Sequence, residues 1–194
     1  DIGGPILLGQ TGNEWQWRRK AWNPEFSSSS LSKYVDIINQ ACEQVIETIK
    51  ETTPQKEVQV DPLFVELTMR VISCLVLGIP VDRNTNSPEG PPLEVLKVYE
   101  AMSTLGYRFL RVATGEKIWM KYLPTRASRD YWAARRYLEE FITPRVDLAL
   151  QIREQNNIDL GNVSPLFQES MLVKIAAKEP QYNRESLIAD SIEL

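Results

Sequence analysis

Residues 13–26 read NEWQWRRKAWNPEF, and this stretch decides how the rest of the chain is read. Thr11 followed three positions later by Glu14 matches a capping box, which predicts a helix from about Gly12 until Asn23-Pro24 stops it. On that helix Trp15, Arg19 and Trp22 share one face. Trp15 and Arg19 stand four apart, so an indole N–H donor and a guanidinium fork project together and could converge on one anionic group. Arginine suits the task because its planar fork stays charged and can hold a carboxylate in two-point contact. Spacing alone leaves another reading open, in which Trp15 and Trp22 pack into the core while Arg18, Arg19 and Lys20 are solvated.

Before this stretch, Gly3, Gly4, Gly9 and Gly12 surround Pro5 and the apolar run Ile6-Leu7-Leu8, which reads as a loop with a greasy tip. After it, helical patterns follow one another. Ser30 can cap a helix whose stripe is Leu31, Tyr34, Val35, Ile38, Cys42, Val45, Ile46 and Ile49, fading at Thr53-Pro54. A short alternating stretch over residues 57–60 leads to Asp61-Pro62, a cap-plus-proline start for a helix ending at Gly78. Between Leu63 and Leu77 its only charges are Glu66 and Arg70, a favourable i,i+4 pair, so that helix should be covered on nearly all sides.

Residues 84–92 read as an exposed loop. Leu93, Leu96, Tyr99, Met102, Leu105, Phe109 and Val112 then form another stripe. A bridge with Ile118, Trp119, Tyr122 and Leu123 ends at Pro124. A long helical pattern over residues 128–155 is expected to kink or divide at Pro144. Along it Arg126, Arg129, Arg135 and Arg136 alternate with Asp130, Glu139 and Glu140, as a solvated, salt-bridged surface does. Ser164-Pro165 starts a helix ending near Lys178, and Asn183 opens a last one carrying Leu187, Ile188, Ser191 and Leu194. The fold class is mainly α.

Composition removes whole classes of chemistry. With no histidine, Ser-His-Asp and Cys-His machinery, an HExxH zinc helix and a histidine metal ligand are all excluded. The two cysteines, Cys42 and Cys74, form no CxxC motif. A net charge of -4 argues against nucleic acid as a partner, because displacing counterions from phosphates needs a positive excess. The most apolar run, residues 71–77, is far shorter than the ~20 residues of a membrane-spanning helix, so this part reads as soluble. Location stays open, since an anchor or targeting peptide would lie before Asp1.

Residues 13–26 resemble the helix called C of the cytochrome P-450 enzymes, the haem-thiolate monooxygenases, in which Trp-x-x-x-Arg is closely followed by Pro-x-Phe. Trp15, Arg19, Pro24 and Phe26 match that pattern one for one. Residues 61–78 resemble the buried helix E, and residues 187–194, LIADSIEL, resemble the first turns of the long helix I. Arg184 and Glu185 just before it read as surface residues without a role. The resemblance covers essentially the whole chain and implies helices C to H and the start of I, within one partial domain over residues 1–194 that continues at both ends.

That resemblance implies haem b as cofactor, with Trp15 and Arg19 donating hydrogen bonds to a haem propionate. It implies a monooxygenase that inserts one oxygen atom from O2 into an apolar organic substrate, with electrons from a reductase or ferredoxin. Ile6, Leu7 and Leu8 would lie in the loop over the distal haem face. Met102 and Phe109, with Leu105 and Leu110, would belong to helix F, the roof of the substrate pocket. Arg18 and Lys20 resemble part of a docking face for an acidic electron donor, although a solvated helix face accounts for them as well. The oxygen-activating Ala-Gly-x-x-Thr segment, the Glu-x-x-Arg helix and the cysteine loop of the family do not occur in these residues, and Cys42 and Cys74 read as core cysteines. The 194 residues alone are therefore expected to be inactive and weakly stable. The competing reading is a non-catalytic helical module whose tryptophans anchor a partner.

Overall fold

The computed structural model describes residues 11–52, 59–81, 90, 93–154 and 163–193. Ile6, Leu7, Leu8 and, apart from Gly90, the expected loop over residues 84–92 lie outside them. Every helix or strand assigned among the described residues is a helix: α1 (Gly12–Trp22), α2 (Ser28–Leu31), α3 (Val35–Thr52), α4 (Val60–Leu77), α5 (Val95–Ala113), α6 (Arg126–Glu154), α7 (Pro165–Gln168), α8 (Met171–Lys178) and α9 (Arg184–Glu193), with short 3₁₀ turns between some of them. The mainly α expectation holds.

α6 is the spine. It packs against α5, α8 and α9, while α4 touches α3, α5 and α8. Leu138, Phe141, Ile142, Val146 and Ala149 form its buried stripe at three- and four-residue steps, meeting Phe167, Leu172, Ile175 and Leu187. Pro144 does not divide α6: the helix runs unbroken for 29 residues, with the proline on its exposed side. A carbonyl on that side can turn to water when the proline N–H is missing, which reduces the cost of keeping the ring in the helix.

Several predicted starts move. Thr11 makes no side-chain cap, and Glu14 instead accepts from the Trp17 indole at 2.9 Å, so the capping box does not form. Ser27, not Ser30, caps α2, its Oγ accepting from the Ser30 N–H at 3.3 Å. α4 begins at Val60, ahead of Asp61-Pro62, and its first half is less covered than expected, with Val60 and Phe64 exposed. Its second half is buried from Ser73 through Leu77. The predicted helix from Ser164 is two: Ser164 caps α7, and Ser170 caps α8 by accepting from the Val173 N–H at 3.4 Å.

Two stripes are rotated from their predicted positions. Along α3 and the turn before it, Tyr34 and Ala41 are buried and Ile37 is partly so, leaving Val35, Ile38 and Ile46 exposed. On α5, Val95, Val98, Ala101 and Arg108 are buried, whereas Leu96 and Tyr99 are not. Both helices carry an apolar arc wider than one contact face, and the neighbour selects which edge of it is covered. Among the described residues no helix is long and apolar enough to cross a membrane.

Candidate functional site

α1 is short and polar, and it is held along one edge of its C-terminal half. Its buried residues are Arg18, Ala21 and Trp22. Trp15 is 43% exposed and Arg19 is exposed, and neither side chain makes a hydrogen bond or ion pair with a described residue. The predicted pair is thus brought onto one open face four residues apart, with an indole N–H and a guanidinium fork available to a ligand. Trp22 leaves that company: it is 2% exposed, and its indole donates to the Tyr182 hydroxyl at 2.9 Å.

Arg18 departs furthest from expectation. It is neither a docking residue nor solvated, being 4% exposed with its guanidinium 2.9 Å from Asp190 Oδ1. Glu14 approaches the same guanidinium at 3.7 Å. The hydroxyl of Tyr182 donates to the other oxygen of Asp190 at 2.7 Å. Its ring meets that of Trp17 edge-on at 4.8 Å, and the Arg18 guanidinium lies 5.3 Å from the Trp17 ring. Arg153 of α6 completes the junction by donating to the Tyr182 carbonyl at 2.9 Å. Burial pushes the Tyr182 phenol well above its usual range, and the hydrogen bond to Asp190 pushes the same way.

The chain folds this way locally for identifiable reasons. Asn183 caps α9, its Oδ1 accepting from the Ser186 N–H at 2.8 Å and its own N–H meeting Ser186 Oγ at 3.2 Å. Arg184, expected to have no role, grips Asp147 of α6 through two bonds of 2.5 and 3.1 Å. Those contacts set α9 so that Asp190 points at α1. Sequence reasoning missed the Arg18–Asp190 pair because 172 positions separate its members. One signal was present: Asp190 is the single charge in residues 186–192, SLIADSI, and a carboxylate buried there needs a partner.

Of the predicted substrate residues, Met102 lines a small cavity of about 30 Å³ with Met69, Val76, Phe141, Ser191 and Ile192, where α4, α5, α6 and α9 meet. That volume suits about one water molecule. Phe109 is half-buried further along α5 and does not line it. Cys74 is buried, and burial pushes its thiol up to about 11; Cys42 is half-buried on α3. Among the described residues no cluster of acidic or cysteine side chains could hold a metal ion.

The family model described as Cytochrome P450 matches residues 3–194. The chain belongs to the cytochrome P450 family. Cytochrome P450 72A15 of Arabidopsis thaliana is 24% identical over 171 residues, an alignment covering 86% of this chain and 31% of that protein. The P450 chain thus spans about a third of the length of that curated relative. Membership agrees with the all-helical architecture. The family is one whose members carry a haem cofactor.

Proposed function

We propose that this P450 chain supplies the propionate contacts and part of the substrate pocket of a haem-thiolate monooxygenase. The observation that carries the reading is the donor set on α1: Trp15 and Arg19 lie open and unpartnered among the described residues, on one face, in the family's Trp-x-x-x-Arg-x-x-x-x-Pro-x-Phe pattern. A propionate is an anionic carboxylate, and an indole N–H beside a guanidinium fork offers it charge-assisted hydrogen bonds. The residues present therefore fit the group. Trp15 and Arg19 hold and orient the cofactor and transfer neither proton nor oxygen.

Haem b, when bound and thiolate-ligated, supplies the chemistry that inserts one oxygen atom from O2 into an apolar organic substrate. Electrons would come from NAD(P)H through a reductase or ferredoxin. Neither Cys42 nor Cys74 suits the thiolate role, since both lie on helices packed into the bundle and burial holds Cys74 protonated. On α5, Met102 stands at the junction with α9 and is the better candidate for substrate contact than Phe109. Family membership favours this enzyme reading over a partner-binding helical module.

The test is Arg19→Ala in the full-length protein. Losing a hydrogen bond to a charged group costs about 1.5–3 kcal/mol, which predicts haem affinity about tenfold weaker or worse. The parent should show the red-shifted carbon monoxide spectrum of a thiolate-ligated ferrous iron. Unchanged haem content in the variant removes the role given to Arg19.

A further inference from the structure

We infer that Arg18, Asp190 and Tyr182 form a positioning device that fixes the rotation of α1 and so aims Trp15 and Arg19. The inference rests on the propionate reading and adds residues that never touch the cofactor. α1 carries two i,i+4 pairs on adjoining faces: Arg18 with Trp22, and Trp15 with Arg19. The first pair is anchored at both ends on one polar couple, Arg18 to Asp190 at 2.9 Å and Trp22 to Tyr182 at 2.9 Å, while Tyr182 donates to Asp190 at 2.7 Å. Two anchors one helical turn apart on a single target allow neither rotation nor sliding. With about 100° per residue, Arg18 lies about 60° round the axis from Trp15 and about 100° from Arg19. Setting one pair therefore sets the other.

The choice of chemistry supports orientation over bulk stability. A buried ion pair is often no more stabilising than apolar side chains of the same volume, because both charges lose their water. Its advantage is directional, since a guanidinium fork and a carboxylate meet in few geometries. Here both side chains are almost fully buried, at 5% and 0% exposure, and they join helices from opposite ends of the chain. α1 has only a thin packed edge of its own, Ala21 and Trp22 being its buried apolar residues. An apolar contact of that size would leave its rotation loosely set.

The experiment is a double-mutant cycle between Arg19 and Asp190, which do not touch, using Arg19→Ala, Asp190→Asn and the double variant of the full-length protein. Haem affinity is measured by titrating the apoprotein, and the apoprotein's melting temperature is recorded alongside. If Asp190 aims Arg19, the loss caused by Arg19→Ala should shrink at least about threefold in the Asp190→Asn background, beyond the usual additivity of distant sites. Asp190→Glu should restore part of the coupling. Tyr182→Phe removes one hydroxyl and keeps the ion pair, so it serves if Asp190→Asn does not fold, and it should reduce the Arg19 effect in the same direction. Additive losses with both Asp190→Asn and Tyr182→Phe, accompanied only by lower melting temperatures, overturn the inference and leave a plain structural junction. If Arg19→Ala alone leaves haem affinity unchanged, the propionate reading itself fails, and that outcome is distinct from additivity.

Discussion

Arg18 and Arg19 are neighbours in the chain with the same side chain, yet one is sealed against Asp190 and the other is open. A helical step of about 100° separates them, and no property of the residues themselves decides which goes inside. What decides is the carboxylate on α9. The two cysteines show the same dependence on surroundings. Cys74 has a thiol held up to about 11 by burial, whereas Cys42 is half-buried. Since the thiolate is the reactive form, a disulfide reagent at pH 8 should modify Cys42 in the native protein and Cys74 only after unfolding. Mass spectrometry of the labelled protein reads this directly, and fast native labelling of Cys74 would contradict the burial assigned to it.

At the scale of the element, the stops and some of the starts were legible, and the faces of α3 and α5 were not. The Asn23-Pro24 stop, the Gly78 stop, the Ser164 and Asn183 caps and the ends near Lys178 come from local chemistry, and they stand. Gly78 is a clear case. It ends α4 at φ 64°, with its N–H bonded to the Cys74 carbonyl at 2.9 Å and the next N–H bonded to that of Ser73 at 3.3 Å. A Cβ there would lie 2.4 Å from the Phe167 backbone, so α4 and α7 touch only because the side chain is absent. Gly78→Ala should cost more than the ~1–2 kcal/mol of a left-handed non-glycine residue, since the contact is with backbone. Chemical denaturation would read it, and a loss under 1 kcal/mol would mean that α7 moves away easily. Faces were harder. The stripes on α3 and α5 were placed about one residue off, because periodicity reports that an apolar arc exists and its neighbour chooses the covered edge.

For the whole molecule, the buried junction between α1, α9 and the turn before α9 ties distant parts of the chain into one unit. It also sets a pH dependence. Tyr182 is raised above its ordinary value near 10 by burial and by Asp190, so between that value and its folded one the unfolded chain has lost a proton that the native state retains. The stabilisation is complete below pH ~10 and falls as pH rises further. Stability measured against pH should decline above ~10, and Tyr182→Phe should flatten that decline. An unchanged slope in the variant would show that the phenol does not titrate against folding.

The sequence by itself determined the helical class, the boundaries at Asn23-Pro24, Gly78, Ser164 and Asn183, and the motif in residues 13–26 that leads to the family, because each rests on residues within a turn or two of one another. The spacing that sets Trp15 and Arg19 on one face is also local, four residues on one helix, whereas the openness of that face is a tertiary result. Only the tertiary structure decided that Arg18 is buried, that Trp22 turns inward to Tyr182, that Arg184 grips Asp147 and that Asp190 is the partner α1 needs. Those contacts join residues as far as 172 positions apart, and a buried charge takes its partner from whatever the folded chain brings within reach.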